Sequence, residues 1–266
     1  MVGGDVSPVG RTRTTPAAGS AVDRLWFAFD SCQKYEDGFF TSYPHIVADD
    51  PELVIFLGDY VYEYASGELK DPVRDVTGGK LTSLADCRVR HATYKTDADL
   101  QAAHAAVPWI VTWDDHEVTN DYSGGEVSTD DGTTSVVDLR TAAYQACYEH
   151  LPLRPESMPT GADMQMYRRV TWGDLAEFQA LDTRQYWTPF PSGYGEQPRG
   201  AAAFDPATTM SGPNQEQWLL LGLDASAARW NVIAQSVLMA ECSLSATPRS
   251  TGLTPGTATR TPATGS

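Results

Sequence analysis

Residues 53–64 read LVIFLGDYVYEY, and this stretch decides the fold. The run of branched and aromatic side chains at residues 53–57 has no polar interruption, which is typical of a strand buried on both faces. It stops at Gly58 and Asp59. A Gly-Asp pair after a strand is most often only a turn. The segment therefore predicts a buried strand of a parallel sheet, with a carboxylate at its end.

Outward from this strand, apolar runs alternate with helical patterns. Further buried strands are predicted at residues 25–29, 109–113, 176–181 and 231–234, and helices at 83–95, 97–106, 136–151 and 214–225. Several of these helices begin at Ser, Asp or Asn in a capping position. This alternation predicts an α/β fold. Loops are expected at residues 65–80, 122–135, 154–165 and 186–213, and the last is long enough for a lid or binding loop.

The composition limits the classes of partner. The chain has 35 acidic and 19 basic residues, a formal net charge of -16, and no apolar run long enough to span a membrane. Such a charge repels nucleic acid, and no basic patch is evident along the sequence. An anionic substrate would need bound cations for its attraction. The charge therefore favours a metal site over an arginine clamp.

Neither the N-terminus nor the cysteines indicate a processed, disulfide-rich protein. Residues 1–20 lack the apolar centre of a secretory signal and are rich in Gly, Pro, Thr and Ser, so we expect a linker there. The four cysteines are too widely spaced for a zinc ribbon and too few for a disulfide scaffold. Each is expected to be a buried thiol: Cys32, Cys87, Cys147 and Cys242.

Polar side chains follow four of the five predicted strands. In an open α/β sheet, ligands bind beyond the carboxyl ends of the strands, so these residues are the first candidates for a site. Any one of them alone has a structural explanation as a turn, a helix cap or a small buried side chain. Their joint occurrence at successive strand ends indicates a functional cluster: Asp30, Ser31 and Cys32; Asp59, Tyr60 and Tyr62; Asp114, Asp115, His116, Asn120 and Asp121; Asp182 and Arg184.

The motifs resemble those of the calcineurin-like metallophosphoesterases, and specifically their alkaline phosphatase D-like branch. The similar stretches are FAFDSCQ, LGDYVYEY, WDDHEVTNDY, LDTRQYW and WNVIAQSVLMA, within a match from about Val6 to Ala240. The resemblance implies a layered sandwich of β-sheets flanked by helices, here truncated. It also implies that residues 1–20 end a preceding β-sandwich or form a linker, and that residues 21–240 are a partial catalytic domain.

The resemblance further implies a site with two metals. Asp59 would bridge both ions, with Cys32 and Tyr62 completing one side of a ferric site, since thiolate and phenolate suit Fe³⁺. Asp115 would bind the second ion, which the family suggests is Ca²⁺. His116 would contact the phosphate or protonate the leaving oxygen, and Arg184 is a candidate for phosphate contact, although it is as often paired with a neighbouring carboxylate.

The implied activity is hydrolysis of phosphate monoesters and diesters by secreted or cell-envelope enzymes. Two cations would polarise the phosphoryl group and neutralise the leaving oxygen. One alternative is a non-catalytic metal-binding or interaction remnant of the same scaffold. A nucleotide-binding doubly wound fold is disfavoured, because no Gly-rich phosphate loop follows the first strand.

The C-terminal residues 241–266 are dominated by Thr, Pro, Ser, Ala and Gly, which predicts disorder. The resemblance implies a further segment with Gly-Asp-x-His ligands, and no such motif occurs in this sequence. One hypothesis is a frameshift between about Ala240 and Leu253, because codons for the tail, shifted by one base, can encode Asp-Ala-Trp-Asp-Gly-Tyr-Pro. A site without these ligands is expected to bind metal weakly and to have impaired activity.

Overall fold

The computed structural model describes residues 9–68, 71–125, 135–189, 197–198, 201–239 and 252–253. The strands are β1 (Phe27–Asp30), β2 (Leu53–Leu57), β3 (Trp109–Thr112), β4 (Arg168–Trp172), β5 (Ala176–Ala180), β6 (Gln197–Pro198), β7 (Trp230–Ala234) and β8 (Gly252–Leu253). The α-helices are α1 (Tyr43–Asp49), α2 (Leu84–Tyr94), α3 (Ala98–Ala106), α4 (Val136–His150) and α5 (Gly212–Ala225). Short 3₁₀ helices cover Tyr35–Asp37, Pro155–Ser157 and Ala201–Phe204.

The first sheet has the order β1-β2-β3, and all three strands are parallel. Its central strand β2 is buried on both faces, as its uninterrupted apolar sequence predicts. Val54 and Phe56 pack into a core shared with helices α2, α3 and α4, whereas Leu53 and Ile55 pack into the core of the second sheet. One strand therefore joins two cores, with alternate side chains facing opposite ways.

The second sheet has the order β4-β5-β7, with β4 antiparallel and β7 parallel to β5. Trp172, Phe178 and Ala234 of this sheet share a core cluster with Leu53 and Ile110 of the first. A separate two-stranded ladder pairs β6 with β8. Two small sheets thus pack against each other with helices around them, which confirms the predicted α/β sandwich.

Most of the predicted elements are present, with ends that differ by one or two residues. Ser83 and Asp97 cap α2 and α3 through their side chains, as their positions indicate. Four of the strands and α-helices were not predicted: β4, α1 and the two-residue strands β6 and β8. Strand β4 contains two adjacent arginines, which mask its alternation, and α1 is only seven residues long, too short for a clear helical period.

Several predictions concern residues outside the described part. This holds for most of the predicted tail 241–266, although two of its residues form strand β8. It also holds for residues 1–8, for Cys242 and for parts of the loops 122–135 and 186–213. Cys87 and Cys147 are buried free thiols as expected, but Cys32 is exposed, because it lies at the open edge beyond β1. In the described ranges no helix is long and apolar enough to cross a bilayer.

Two histidines, the buried His91 and the half-buried His104, lie on the helical side of the first sheet. Nε2 of His104 forms a hydrogen bond of 2.8 Å with the Tyr60 hydroxyl. The His104 ring stacks on Trp109, with 4.0 Å between the ring centroids. His91 is 1% exposed and stacks on Tyr60. Burial lowers the pKa of His104 to about 3 and lowers the pKa of His91 well below its usual value. Both rings are therefore neutral in the folded protein at neutral pH.

We expect these histidines to make folding acid-sensitive. Since the unfolded chain binds protons near pH 6.5 and the folded chain does not, stability is full above that pH and falls as the pH decreases. Between pH 7 and pH 5 one such histidine accounts for about 2 kcal/mol of unfolding free energy. Urea denaturation at both pH values should show a smaller loss for His104→Gln than for the unmodified chain. The exposed His45→Gln is the control, and an unchanged loss in His104→Gln would contradict the prediction.

Candidate metal centre

Three parallel strands end at one edge of the first sheet and deliver the candidate ligands there. Cys32 follows β1, Asp59 follows β2, and Asp115 and His116 follow β3. The loop after β1 is fixed to the end of β2 by backbone hydrogen bonds from Cys32 N to Gly58 O at 3.0 Å and from Gln33 N to Asp59 O at 3.2 Å. The parallel order of the strands therefore brings these residues to a common place.

Glu117 connects the ends of β2 and β3. Its carboxylate is 2% exposed and accepts three backbone hydrogen bonds, from Asp59 N at 3.2 Å, Tyr60 N at 2.7 Å and Asp114 N at 2.9 Å. These N–H groups lie beyond the last ladder bonds of their strands and have no strand partner there. One carboxylate thus sets the spacing between the two loops that carry Asp59 and Asp115.

The backbone at the end of β2 takes conformations that few residues adopt. Gly58 has φ 103°, and a side chain there would bring its Cβ within 2.5 Å of Asp114 N, so only glycine fits. Asp59 and Cys32 also have positive φ values, 59° and 58°. Such backbone strain in non-glycine residues is typical of functional sites.

Asp59, Asp115 and His116 form a group that fits a cation. One ligand atom from each lies within 4.8 Å of those of the other two, and among the described residues no other group of three acidic, histidine or cysteine side chains does this. Tyr62 donates its hydroxyl proton to Asp59 Oδ2 at 3.0 Å. Asp59 Oδ1 is buried and has no hydrogen-bond partner in the described part of the chain. A buried carboxylate oxygen without a donor is the place where a cation is expected.

His116 is held on three sides. Its Nδ1 lies 2.8 Å from Oε2 of Glu63, whose other oxygen accepts the backbone N–H of Asn120 at 2.7 Å. The ring lies between Tyr62, stacked at 4.2 Å, and Tyr64, tilted at 5.5 Å. Its orientation is therefore fixed, and Nε2 is the ring nitrogen that Glu63 does not engage.

Arg184 compensates the aspartates after β3. Its guanidinium is 3% exposed and donates to Asp114 Oδ1 at 2.5 Å and to Asp115 Oδ1 at 3.2 Å. The hydroxyl of Ser236, beyond β7, also donates to Asp114 at 2.9 Å. Asp182, by contrast, accepts N–H groups of Arg184 and Gln185 and has the turn-capping role that is common for an aspartate after a strand.

The carboxyl groups are crowded. Burial, together with the neighbouring charge of Asp115, raises the pKa of Asp59, and burial raises the pKa of Asp114 to about 7 against the effect of Arg184. Burial opposes the ionisation of Asp115 too, but Arg184 and His116 outweigh it and lower its pKa. The charge of Asp59 is thus not fully offset by the side chains around it, and a bound cation would supply this compensation.

The pKa of His116 moves in the opposite direction. Burial alone would lower the pKa, but the Glu63 hydrogen bond and the charges of Glu63, Asp115 and Asp59 raise it to about 9. Partial burial and the charges of Asp59 and Asp114 raise the pKa of the Cys32 thiol to about 11. Without a cation, the centre therefore holds a protonated imidazole and a neutral thiol.

The structure brings Cys32, Asp59, Tyr62, Asp115 and His116 to the same edge of the sheet, with Arg184 behind the aspartates. Sequence reasoning missed Glu63 and Glu117, although both lie inside the motifs that it singled out. Their proximity to Asp59 and Asp115 was the available signal. A glutamate next to a turn, however, is more often solvated, and only the three-dimensional arrangement buries these two.

We expect Glu117→Gln to destabilise the fold by about 1–3 kcal/mol, because an amide turns its NH₂ group towards buried N–H donors that now meet a carboxylate. The measurement is the urea-dependent free energy of unfolding. Glu149→Gln is the control, since Glu149 accepts hydrogen bonds from Arg88 and Gln145 on the surface of the protein, and it should cost less than about 1 kcal/mol. Equal losses in the two variants would argue against a special role for Glu117.

Comparison with known proteins agrees with this fold and gives the family of the chain. The family model described as PhoD-like phosphatase matches residues 27–259. Alkaline phosphatase D of Bacillus subtilis (strain 168) is 47% identical over 242 residues, which are 90% of this chain and 42% of that protein. A solved structure of PhoD has a TM-score of 0.91 and 44% sequence identity, over 96% of this chain and 49% of that chain. The chain thus spans about half the length of these relatives. This chain belongs to the PhoD-like phosphatase family.

Proposed function

We propose that this protein contributes to the hydrolysis of phosphate esters at a binuclear metal site. The observation that carries the proposal is the unpartnered, buried Oδ1 of Asp59, close to Asp115 and His116. Membership of a phosphatase family gives the class of reaction. In this proposal, residues 21–240 supply part of the catalytic domain.

The donor set suggests which ions are held. Asp59 would bridge the two metals, with Cys32 and Tyr62 on the side of Fe³⁺, because charge-donating sulfur and phenol oxygen suit that ion. Asp115 would hold Ca²⁺ through its carboxylate. When bound, the two cations polarise the phosphoryl group and offset the charge on the leaving oxygen.

The chain's own residues orient the substrate and hold the proton. His116 keeps a proton at Nδ1 against Glu63, so Nε2 is the atom that would contact the phosphate or protonate the leaving oxygen. Glu63 and the two tyrosine rings keep the imidazole in this orientation. The predicted phosphate contact of Arg184 stays a prediction; we propose that this guanidinium acts chiefly by holding Asp114 and Asp115 in place.

The substrate proposed is a phosphate monoester or diester, encountered outside the cell or in its envelope. Because the chain carries a net charge of -16, the cations at the site would provide the attraction for such an anion. The relatives are about twice as long as this chain, and we propose that any further ligands come from their remaining half. We propose that activity is weaker where those ligands are lacking.

A second candidate function is a metal-binding or interaction domain without turnover. It is favoured by the difference in length between this chain and its relatives. In the described part, the ligand group contains three residues of the type that hold metal, and a binuclear site needs more ligands than that. Metal binding without hydrolysis is the result that this alternative expects.

We expect the purified chain, supplied with Fe³⁺ and Ca²⁺, to bind metal and to hydrolyse bis(p-nitrophenyl) phosphate. Asp59→Asn should lower the metal content by at least about tenfold and abolish turnover, because the bridging oxygens lose their charge. Metal analysis after gel filtration and release of nitrophenol are the measurements. Asp99→Asn, in the first turn of α3, is the matched control. Metal bound without turnover would support the second candidate, and no metal at all would contradict both.

We also expect visible absorption in the Fe³⁺-loaded chain, since phenolate and thiolate ligands transfer charge to ferric iron. Tyr62→Phe should shift or weaken this band, whereas Tyr64→Phe, which alters the other ring beside His116, should leave it unchanged. An unaltered spectrum in Tyr62→Phe would remove Tyr62 from the proposed ligand set.

A further inference from the structure

A cavity of about 740 Å³ lies far from the metal centre, between the N-terminal segment 12–18 and strand β4. Strand β4 is the outer strand of the second sheet. Threonine and arginine side chains line part of the cavity, among them Thr12, Arg13, Arg154, Arg169 and Thr171, and the apolar residues Pro16, Ala17, Ala18 and Val170 line the rest. A volume of this size is in the range of sites for small-molecule ligands.

Two arginines of this cavity lack the partners that arginines elsewhere in the chain have. Arg88 pairs with Glu149 and Arg229 pairs with Asp174, both on the surface. Arg13 and Arg154 are exposed, and neither guanidinium group has an ion pair or hydrogen bond with a residue that the structure describes. In a chain of net charge -16, two unpaired guanidinium groups at one cavity are a local reversal of charge.

A third arginine, Arg169, also lines the cavity. Its guanidinium lies 3.1 Å from Glu177 and donates to Gln179 and to the backbone oxygen of Trp218, so it adds little unpaired charge. Its neighbour Arg168 does not line the cavity and donates to the backbone oxygens of Met166 and Val111. We call the three residues Arg13, Arg154 and Arg169 the arginine groove. The sequence predicted no basic patch because Arg13 lies far from the other two along the chain.

The arginine groove is distinct from the metal centre. Thr171 pairs with Glu177 near the start of β5, whereas Asp182 and Arg184 follow the end of that strand. Arg169 pairs with Gln179, so three to five residues of extended chain, or about 10–16 Å, separate the groove residues of β4 from Asp182. A ligand in the groove therefore does not occupy the phosphate position at Asp59 and Asp115.

We propose that the arginine groove binds a polyanion with several phosphoryl groups. Guanidinium groups match the paired oxygens of a phosphoryl group, and the threonine hydroxyls can donate to the same oxygens. The cavity is much larger than a single phosphate, so the ligand carries more than one anionic group. Such a site gives a strongly acidic protein one surface on which a phosphate-containing polymer can rest.

The test is direct binding to the full chain, with sodium tripolyphosphate as the probe and isothermal titration calorimetry as the readout. The titration is done on the Asp59→Asn variant in the presence of a chelator, so that the metal centre takes no part and the result is independent of the proposed hydrolysis. We expect saturable binding of tripolyphosphate, and binding of inorganic phosphate that is at least about tenfold weaker, because fewer guanidinium groups are engaged.

Arg13→Gln combined with Arg154→Gln should weaken tripolyphosphate binding by at least about tenfold, or roughly 1.4 kcal/mol. Arg88→Gln combined with Arg229→Gln removes the same charge from ion-paired arginines elsewhere and should change the affinity by less than about threefold. Equal losses in the two double variants would show non-specific attraction and overturn the proposal. An unsaturable titration, or full affinity in the variant lacking Arg13 and Arg154, would overturn it as well.

Discussion

The carboxylate of Glu117 is the constraint on which the site depends. It accepts N–H groups from the turns after both β2 and β3, so the separation of Asp59 from Asp115 follows from one buried side chain. Gly58 makes this arrangement possible, because its missing side chain lets the two turns approach each other. The left-handed backbone conformation of Asp59 is then held by two hydrogen bonds, from its N–H to Glu117 and to its carbonyl oxygen from Gln33 N. These contacts stabilise a conformation that is strained for a residue other than glycine.

The same close approach creates the electrostatic problem that the centre has to solve. Asp59, Asp114, Asp115 and Glu117 lie within a small, largely buried volume, and carboxylates in such a place repel each other. Arg184 and His116 offset the charge of Asp114 and Asp115, but one oxygen of Asp59 has no donor among the described residues. This uncompensated negative charge lies on Asp59, the residue that the proposed function assigns to both cations.

Much of the fold and of the metal centre could be predicted from the sequence, and the features that could not be predicted were missed for a physical reason. Strand β2 was evident because burial on both faces requires a run without polar side chains, and the ligands could be found because parallel strands end at one edge. Glu63 and Glu117 could not be assigned, since their roles depend on which backbone N–H groups a fold leaves without partners.

Strand β4 was missed for a related reason. Arg168 and Arg169 are compatible with a strand only because backbone oxygens, a glutamate and the Trp218 ring receive their guanidinium groups. The arginine groove includes Arg169 of this same strand, and Arg13 is separated from its other two members by more than a hundred residues of chain.

The order of the first sheet has a consequence for how the protein is made. Strands β1, β2 and β3 are neighbours in space in the same order as along the chain, and Cys32, Asp59, Tyr62, Asp115 and His116 all come from their ends. The backbone pairing of these strands involves no later part of the polypeptide, but their other face packs against the second sheet. During synthesis from the N-terminus, the strands that carry these residues are therefore made first, and the second sheet and Arg184, which hold them in place, follow.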